Sequence, residues 1–320
     1  MGTTTSVTAL DWLLDSDPAI HWQVLRDLVG APSEVVTAER AKVATQGWAA
    51  QLLALQGEDG QWDGGALFPA HFTGEQFKKE GQPWTATEPT LTLLRIFGVD
   101  PYNETARRAV AKVHDHCRWE HAGEPFFSGE TDTCINGRII SLGVYFSQNV
   151  DGIVERLLNE QLEDGGWNCE RENGSVRSSF DSTINVLEGL LAYEKTTGGS
   201  KKVIEARRHG EEYILERKLF RRKTTGEAAR STYLQFAFPT RWHYDVLRGL
   251  DYFRTTGSPP DPRMDEAIKL VQSKKQSDGR WLLEHAYRGK VYFTLEEVGQ
   301  PSRWNTLRAM RVLRWCRATE

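Results

Sequence analysis

The sequence has few cysteines, no long hydrophobic run and no secretory signal. Its four cysteines show no paired spacing such as Cys-x-x-Cys, which indicates reduced thiols of an intracellular protein and not a disulfide framework. No segment approaches the roughly 18 consecutive apolar residues of a membrane-spanning helix. The N-terminal segment lacks a basic region followed by an apolar one. We therefore expect a cytoplasmic protein with no integral membrane association.

An excess of charge of one sign is also lacking. The 40 basic and 44 acidic residues give a formal net charge of −4. The densest basic runs, at Arg221–Lys223 and near the C-terminus, are typical of solvated loops and helix faces. We therefore predict no nucleic-acid partner, and we expect no nucleotide cofactor.

Helical periodicity dominates what is present, whereas long alternating strands are absent. Segments such as NVLEGLLAYEK and YDVLRGLDYFR place apolar residues at steps of three and four, which predicts amphipathic helices. Similar helices begin near Thr85, Thr131, Ser178, Arg241 and Ser302. Adjacent starts lie roughly 45–65 residues apart, as expected of a two-helix repeat with a loop.

A Gln, an Asp-Gly pair and a Trp recur before three of these helices. The segments are LLALQGEDGQW at Leu52–Trp62, LLNEQLEDGGW at Leu157–Trp167 and VQSKKQSDGRW at Val271–Trp281. Glycine permits the turn, glutamine can bond backbone groups at a helix end, and tryptophan can pack the loop on its neighbour. We expect each element to link a helix of one set to a helix of the other.

The spacing of this element resembles the QW motif of squalene-hopene and oxidosqualene cyclases. Leu52, Gln56, Gly60 and Trp62 fit the motif, as do Leu157, Gln161, Gly165 and Trp167, whereas Gln276, Gly279 and Trp281 fit its second half. The chain is therefore similar to the terpenoid cyclase and protein prenyltransferase superfamily, and specifically to small bacterial squalene-cyclase-like proteins. The resemblance covers approximately Trp48 to Trp315.

This resemblance implies an all-α, single-domain α/α toroid of about five to six helical hairpins. Residues 48–320 would form the toroid, and N-terminal helices in residues 1–47 would pack on the ring. Inner helices would surround an apolar, tryptophan-rich cavity. The resemblance predicts fold better than chemistry, because one fold supports many functions.

Chemically capable residues recur at the predicted helix starts, which a toroid would bring together at one end. We identify Glu88, Asp132, Asp181 and His243 as candidate catalytic residues, with Asn305 at the equivalent position of the last helix. Helix capping is the plain alternative for the Asp and Asn residues. Helix capping does not, however, explain the cysteine and the histidine that occur at equivalent positions.

Cys134, Cys169 and His243 form a candidate metal site. Two thiolates and an imidazole suit Zn²⁺ or another divalent metal. By resemblance, protein prenyltransferases hold zinc with Asp, Cys and His at this end of the toroid, and Asp132-Thr133-Cys134 matches their Asp-x-Cys order. The alternatives are a buried apolar cysteine and a packed histidine.

A second interpretation uses Glu130-Thr131-Asp132-Thr133 in place of the DxDD acid motif of class II terpene cyclases. Asp132 would then protonate an alkene or epoxide, and aromatic faces would stabilise the cation. Arg138 and Arg241 could hold a carboxylate or phosphate. The candidate substrate-binding residues are Trp84, Trp242, Tyr244, Trp304, Asn305 and Arg138.

Three functions remain open at this point. The first is a cyclase- or prenyltransferase-like enzyme that acts on a largely apolar small molecule in a central cavity, with or without a metal. The second is acid catalysis by Asp132. The third is a toroid that binds a small molecule without chemistry, because helical repeats readily form concave binding surfaces.

Overall fold

The computed structural model describes residues 7–317, and it confirms the predicted all-α class. Regular strand structure in these residues is one short antiparallel pair, β1 (Trp281–Leu282) and β2 (Pro301–Ser302), with Trp281 opposite Ser302. None of the helices in this part of the chain is both long and apolar enough to cross a lipid bilayer.

Six helices contact one another in a closed order, and we call them the circuit helices. They are α2 (Pro18–Val24), α6 (Thr87–Phe97), α8 (Thr133–Tyr145), α10 (Phe180–Thr197), α12 (Val246–Thr256) and α14 (Arg303–Arg317). Each contacts the next, and α14 returns to α2, which itself contacts α6. The segment predicted to pack on the ring thus supplies one helix of the circuit.

A second set precedes or lies beside the circuit helices, and we call these the flanking helices. They are α4 (Gly47–Ala54), α7 (Glu104–His116), α9 (Asp151–Asn159), α11 (Lys201–Leu215) and α13 (Asp265–Ser273). Helix α4 packs on α2 and α6, α9 packs on α8, α11 packs on α10, and α13 packs on α12 and α14. The buried apolar side chains form one continuous core.

The remaining elements are short. They comprise α1 (Ala9–Leu14), α3 (Ser33–Ala41), α5 (Gly74–Glu80), a π-helical turn (Leu25–Val29) and 3₁₀ turns at Lys42–Ala44, Phe126–Ser128, Cys169–Arg171, Ser231–Leu234 and Pro262–Met264. Asp17 caps α2 by accepting a hydrogen bond from the Ala19 N–H at 2.9 Å, and Pro18 occupies the first helical position, where its missing N–H costs nothing.

Helices α8 and α10 cross at close range because glycines face each other at the crossing. A Cβ atom on Gly137 would lie 2.4 Å from the Asn185 carbonyl oxygen, and one on Gly189 would lie 2.4 Å from the Gly137 carbonyl oxygen. No side chain larger than hydrogen fits without separating the helices. This contact brings the first turn of α8 beside the first turn of α10.

The three Asp-Gly-x-Trp loops each join a flanking helix to the circuit helix that follows it. Trp62, Trp167 and Trp281 are at most 1% exposed. Their indole N–H groups donate to carbonyl oxygens in the preceding flanking helices at 2.7–2.8 Å. Their backbone N–H groups donate to threonine hydroxyls in the following circuit helices, namely Thr87, Thr183 and Thr306. The repeated spacing therefore corresponds to a repeated set of contacts.

Candidate functional site

The structure gathers several predicted residues near the first turns of α6, α8, α10 and α12. Three groups can be distinguished there: an acid and two thiols at the start of α8, a buried arginine–glutamate pair between α6 and α8, and an aromatic group around the loop that precedes α12.

Cys169 places its sulfur at the first turn of α8. The sulfur lies 3.4 Å from the Cys134 backbone nitrogen, 3.4 Å from the Ser182 hydroxyl and 3.5 Å from the Thr133 hydroxyl. A hydrogen bond from the Cys134 thiol is the main reason that the pKa of Cys169 falls to about 7. The same hydrogen bond, together with burial, raises the pKa of Cys134. Cys169 is therefore the thiol of this pair that ionises more readily.

Asp132 is the residue immediately before α8, but its side chain does not cap the helix. The neighbouring Glu130 carboxylate accepts the Asp132 backbone N–H at 2.8 Å and the Thr131 hydroxyl at 2.9 Å. Burial raises the pKa of Asp132, and the charges of Glu130, Glu170 and Glu172 raise it further. The arrangement leaves a half-buried carboxyl group that keeps its proton to a higher pH than an ordinary aspartic acid.

The structure brings two of the three predicted zinc ligands together. Cys134 and Cys169 adjoin each other, but across residues 7–317 no three His, Cys, Asp or Glu side chains lie close enough together to hold a metal ion. His243 instead packs its ring between Trp242 and Tyr287.

Glu88 and Arg138 form a buried ion pair between α6 and α8. The Arg138 Nη2 atom donates to Glu88 Oε2 at 2.6 Å, and the two side chains are 6% and 0% exposed. Glu88 Oε1 also accepts the Thr92 hydroxyl at 2.7 Å. Arg138 lies one helical turn after Cys134, so the pair adjoins the thiols on the same face of α8.

The aromatic group lies beside this pair. His243 stacks on Trp242 with ring centroids 3.5 Å apart and on Tyr287 at 3.7 Å. Burial lowers the pKa of His243 to about 3, and the nearby Arg248 and Arg138 charges act in the same direction. His243 is therefore neutral near pH 7, and its ring acts as one of the stacked faces. This protonation state does not suit the role of a general acid at neutral pH.

Trp84 and Arg241 complete the aromatic group. Trp84 is 3% exposed and donates its indole N–H to the Arg288 carbonyl oxygen at 3.0 Å. The Arg241 guanidinium lies over the Trp84 ring, 4.9 Å from its centroid. Trp242 donates its indole N–H to the Gln82 side-chain oxygen at 2.9 Å. Two of the predicted substrate-binding tryptophans thus lie together.

The side chains of four other predicted residues pack against, or are hydrogen-bonded to, the rest of the protein. Asp181 accepts hydrogen bonds from the Tyr244 N–H at 2.8 Å, the Tyr233 hydroxyl at 2.9 Å and Arg230 at 3.1 Å, so it organises the start of α12. Tyr244 is completely buried. Trp304 stacks on Phe238, and Asn305 bonds the Phe236 and Leu282 carbonyls. We do not include these four residues in the candidate site, because their side chains are used in packing and backbone bonding.

Sequence reasoning missed a network of buried charges between the circuit helices. Arg248 of α12 donates to Glu188 of α10 at 2.8 Å, and Arg311 of α14 donates to Asp251 of α12 at 2.9 Å. Burial lowers the pKa of Arg95 on α6, and Glu188 opposes that shift, so these charges meet across the circuit. In the sequence, this network corresponds to charged residues that occur at helical spacing within otherwise apolar segments.

We compared the chain with protein-family models and with curated proteins. No family model matches the chain, and no curated protein matches it. The function is therefore inferred from the geometry of the three groups and from the chemistry that each can perform.

Proposed function

We propose that the chain is an α/α toroid of the terpenoid cyclase and prenyltransferase kind, and that it is an enzyme. In this proposal it acts on a largely apolar small molecule at the end of the ring where the circuit helices begin. Asp132 donates a proton to a carbon–carbon double bond of that molecule.

The closed order of the circuit helices supports the toroid. The order runs from α2 through α6, α8, α10, α12 and α14 back to α2, and the flanking helices α4, α9, α11 and α13 pack against members of this circuit. The three tryptophan-containing loops make equivalent contacts between the two sets, as expected of helical hairpins repeated around a ring.

The buried charges determine where an apolar molecule can bind. Ion pairs such as Arg248 with Glu188 lie between the circuit helices, and separating or solvating such a pair is unfavourable. The half-buried Trp242 ring, which stacks on His243, instead offers an apolar surface at the end of the ring. We therefore place the molecule at this end of the ring, where the sequence also predicted the polar groups.

The free carboxyl group of Asp132 is the observation that carries the catalytic part. Within residues 7–317 no hydrogen bond to this carboxyl group is present, and the Cys134 N–H, which a capping side chain could accept, donates to the Cys169 sulfur instead. In the reaction the O–H bond of Asp132 breaks as a C–H bond forms, leaving a carboxylate and a carbocation. The cation then loses a proton to water, and Asp132 is reprotonated from solvent.

A polyene assay with Asp132→Asn tests this assignment. We expect the wild-type protein to convert at least one of squalene, geranylgeraniol or farnesol, as detected by gas chromatography and mass spectrometry. Asp132→Asn should reduce turnover by at least about 100-fold, because the amide cannot donate the proton. Wild-type turnover should also fall as the pH rises through the raised pKa of Asp132, since the acid form is then lost.

Glu163→Gln is the matched control, because Glu163 is an exposed acid. It should leave turnover unchanged, and circular dichroism should show that both variants fold. Wild-type rates in Asp132→Asn would refute the role of the acid. An unchanged apolar molecule that copurifies with both proteins, without turnover, would establish a binding protein in place of an enzyme.

A further inference from the structure

A buried arginine, Arg138, and a half-buried arginine, Arg241, lie near a single carboxylate at the end of the ring. Arg138 and Arg241 both lie close to Glu88: Arg138 is hydrogen-bonded to it, and the charges of Glu88 and Arg138 both shift the pKa of Arg241. The three side chains carry a net charge of +1 when all are ionised. Because Arg138 and Glu88 are buried and Arg241 is half-buried, this excess charge is only partly solvated, and an anion bound here would compensate it.

Arg138 has a donor that the protein does not use. Its side chain is 94% buried, since its relative exposure is 6%. Its Nη2 atom bonds Glu88, but among the described residues no acceptor lies within hydrogen-bond distance of its buried Nε atom. An unsatisfied buried donor is unfavourable unless something else accepts from it.

Arg241 offers the second donor group. Within residues 7–317 the guanidinium of Arg241 has no hydrogen-bond acceptor and no carboxylate contact, and it rests over the Trp84 ring. Burial lowers its pKa to about 9. Its backbone has a φ of +55°, a strained value for a residue with a Cβ atom. Such strain is concentrated at binding and catalytic sites.

The surrounding groups do not neutralise this charge. Arg248 is paired with Glu188 and also donates to the Arg241 carbonyl oxygen at 3.3 Å. His243 is neutral near pH 7. Asp181 is already paired with Arg230 at 3.1 Å. The positive charge at Arg138 and Arg241 therefore remains for a ligand.

We propose that Arg138 and Arg241 bind the carboxylate of an apolar carboxylic acid whose hydrocarbon part lies against the half-buried Trp242 ring. The proposal deepens the proposed function, on which it rests, by naming the chemical class of the small molecule. The carboxylate would accept from Arg138 Nε and from the Arg241 guanidinium, which are charge-assisted bonds. A single excess positive charge matches a carboxylate better than a phosphate dianion.

Three eight-carbon ligands that differ only in the head group test this inference. We would measure the dissociation constants of octanoate, 1-octanol and octyl phosphate by isothermal titration calorimetry. The wild-type protein should bind octanoate at least about tenfold more tightly than octanol, because two charge-assisted hydrogen bonds are gained. It should also bind octanoate more tightly than octyl phosphate.

Arg241→Met should remove the preference for octanoate over octanol while keeping the binding of octanol. Arg288→Met is the control, because Arg288 is an exposed arginine next to Tyr287 in the sequence. It should keep the preference. The double variant Glu88→Gln/Arg138→Met removes the ion pair without leaving one buried charge, and it should also lose the preference.

The possible results separate this inference from the proposed function. Equal binding of octanoate and octanol, or no binding of octanoate, would overturn the carboxylate site and leave acid catalysis on a neutral polyene standing. Tighter binding of octyl phosphate would overturn the choice of a carboxylate. Full turnover by Asp132→Asn, combined with a preference for octanoate that is lost in Arg241→Met, would support the site and refute the catalytic role.

Discussion

The first two tryptophan-containing loops differ from the third in what their glutamines do. Gln56 donates to the Gly60 carbonyl oxygen of its own loop at 2.8 Å and to the Ala109 carbonyl oxygen of α7 at 2.9 Å. Gln161 repeats this pattern with Gly165 at 2.7 Å and Ala206 of α11 at 2.8 Å. Gln276, in the third loop, is exposed and donates to the Lys274 carbonyl oxygen.

The neighbours of the loops explain this difference. The first two loops each lie against the next flanking helix along the chain, which presents a backbone carbonyl to the glutamine. The third loop follows α13, the last of the flanking helices, and its Gly279 lies near Ala9 of α1 instead. The tryptophan therefore secures each loop within its own hairpin, whereas the glutamine joins one hairpin to the next.

The largest expected effect is one that all three loops share. Trp167→Ala and Trp281→Ala should each lower the free energy of unfolding by about 3–5 kcal/mol, because each removes a buried indole and leaves a cavity. Urea denaturation of the purified variants would measure this. A cost for Trp281→Ala that is several-fold smaller than that for Trp167→Ala would show that the loops are not equivalent in this respect.

The turn glycines should separate the second loop from the third. Gly165 has a φ of +93°, and a Cβ atom there would lie 2.6 Å from the His209 carbonyl oxygen of α11. Gly279 has a φ of +84°, and its Cβ atom would meet Ala9 Cβ at an ordinary 3.4 Å. Gly279→Ala should lower the free energy of unfolding by about 1–2 kcal/mol through backbone strain alone.

Gly165→Ala should lower the free energy of unfolding by about 1–3 kcal/mol more than Gly279→Ala does, because α11 must move to admit the methyl group. The same urea titrations would measure both variants. Equal costs at the two positions would show that the contact with α11 does not constrain the turn, and that backbone strain accounts for the whole effect.

The sequence predicted the helical class because helical periodicity is a local property. Glycine-dependent turns and buried tryptophans likewise follow from short motifs, and the structure confirms both at Gly60, Gly165 and Gly279. Helix α6 begins at Thr87 and α8 at Thr133, within two residues of the predicted starts.

The candidate site was less predictable because it depends on contacts between distant segments. Asp132 and Asp181 look alike in the sequence, each at a helix start. The structure shows that Asp181 accepts several hydrogen bonds, whereas the Cys134 N–H that Asp132 could have capped donates to the Cys169 sulfur. Likewise, Cys134 and Cys169 were predicted to be neighbours of His243. The histidine stacks instead on Tyr287, which lies 44 residues further along the chain.

The smallest and most discriminating effect concerns the glutamines. Gln161→Ala should lower the free energy of unfolding by about 1–3 kcal/mol, because two backbone carbonyls lose their donor. Gln276→Ala should change it by less than about 0.5 kcal/mol, since the side chain is exposed and bonds only its own loop. Urea denaturation under identical conditions compares the two.

Glutamate substitutions sharpen the same comparison. Gln161→Glu keeps the shape of the side chain but replaces the donating amide with an oxygen that faces two carbonyl oxygens, so it should cost more than Gln161→Ala. Gln276→Glu should be tolerated, because water can solvate the exposed carboxylate. If Gln161→Glu were as stable as the wild type, the glutamine would not join successive hairpins, and the circuit would depend on its buried ion pairs and apolar packing alone.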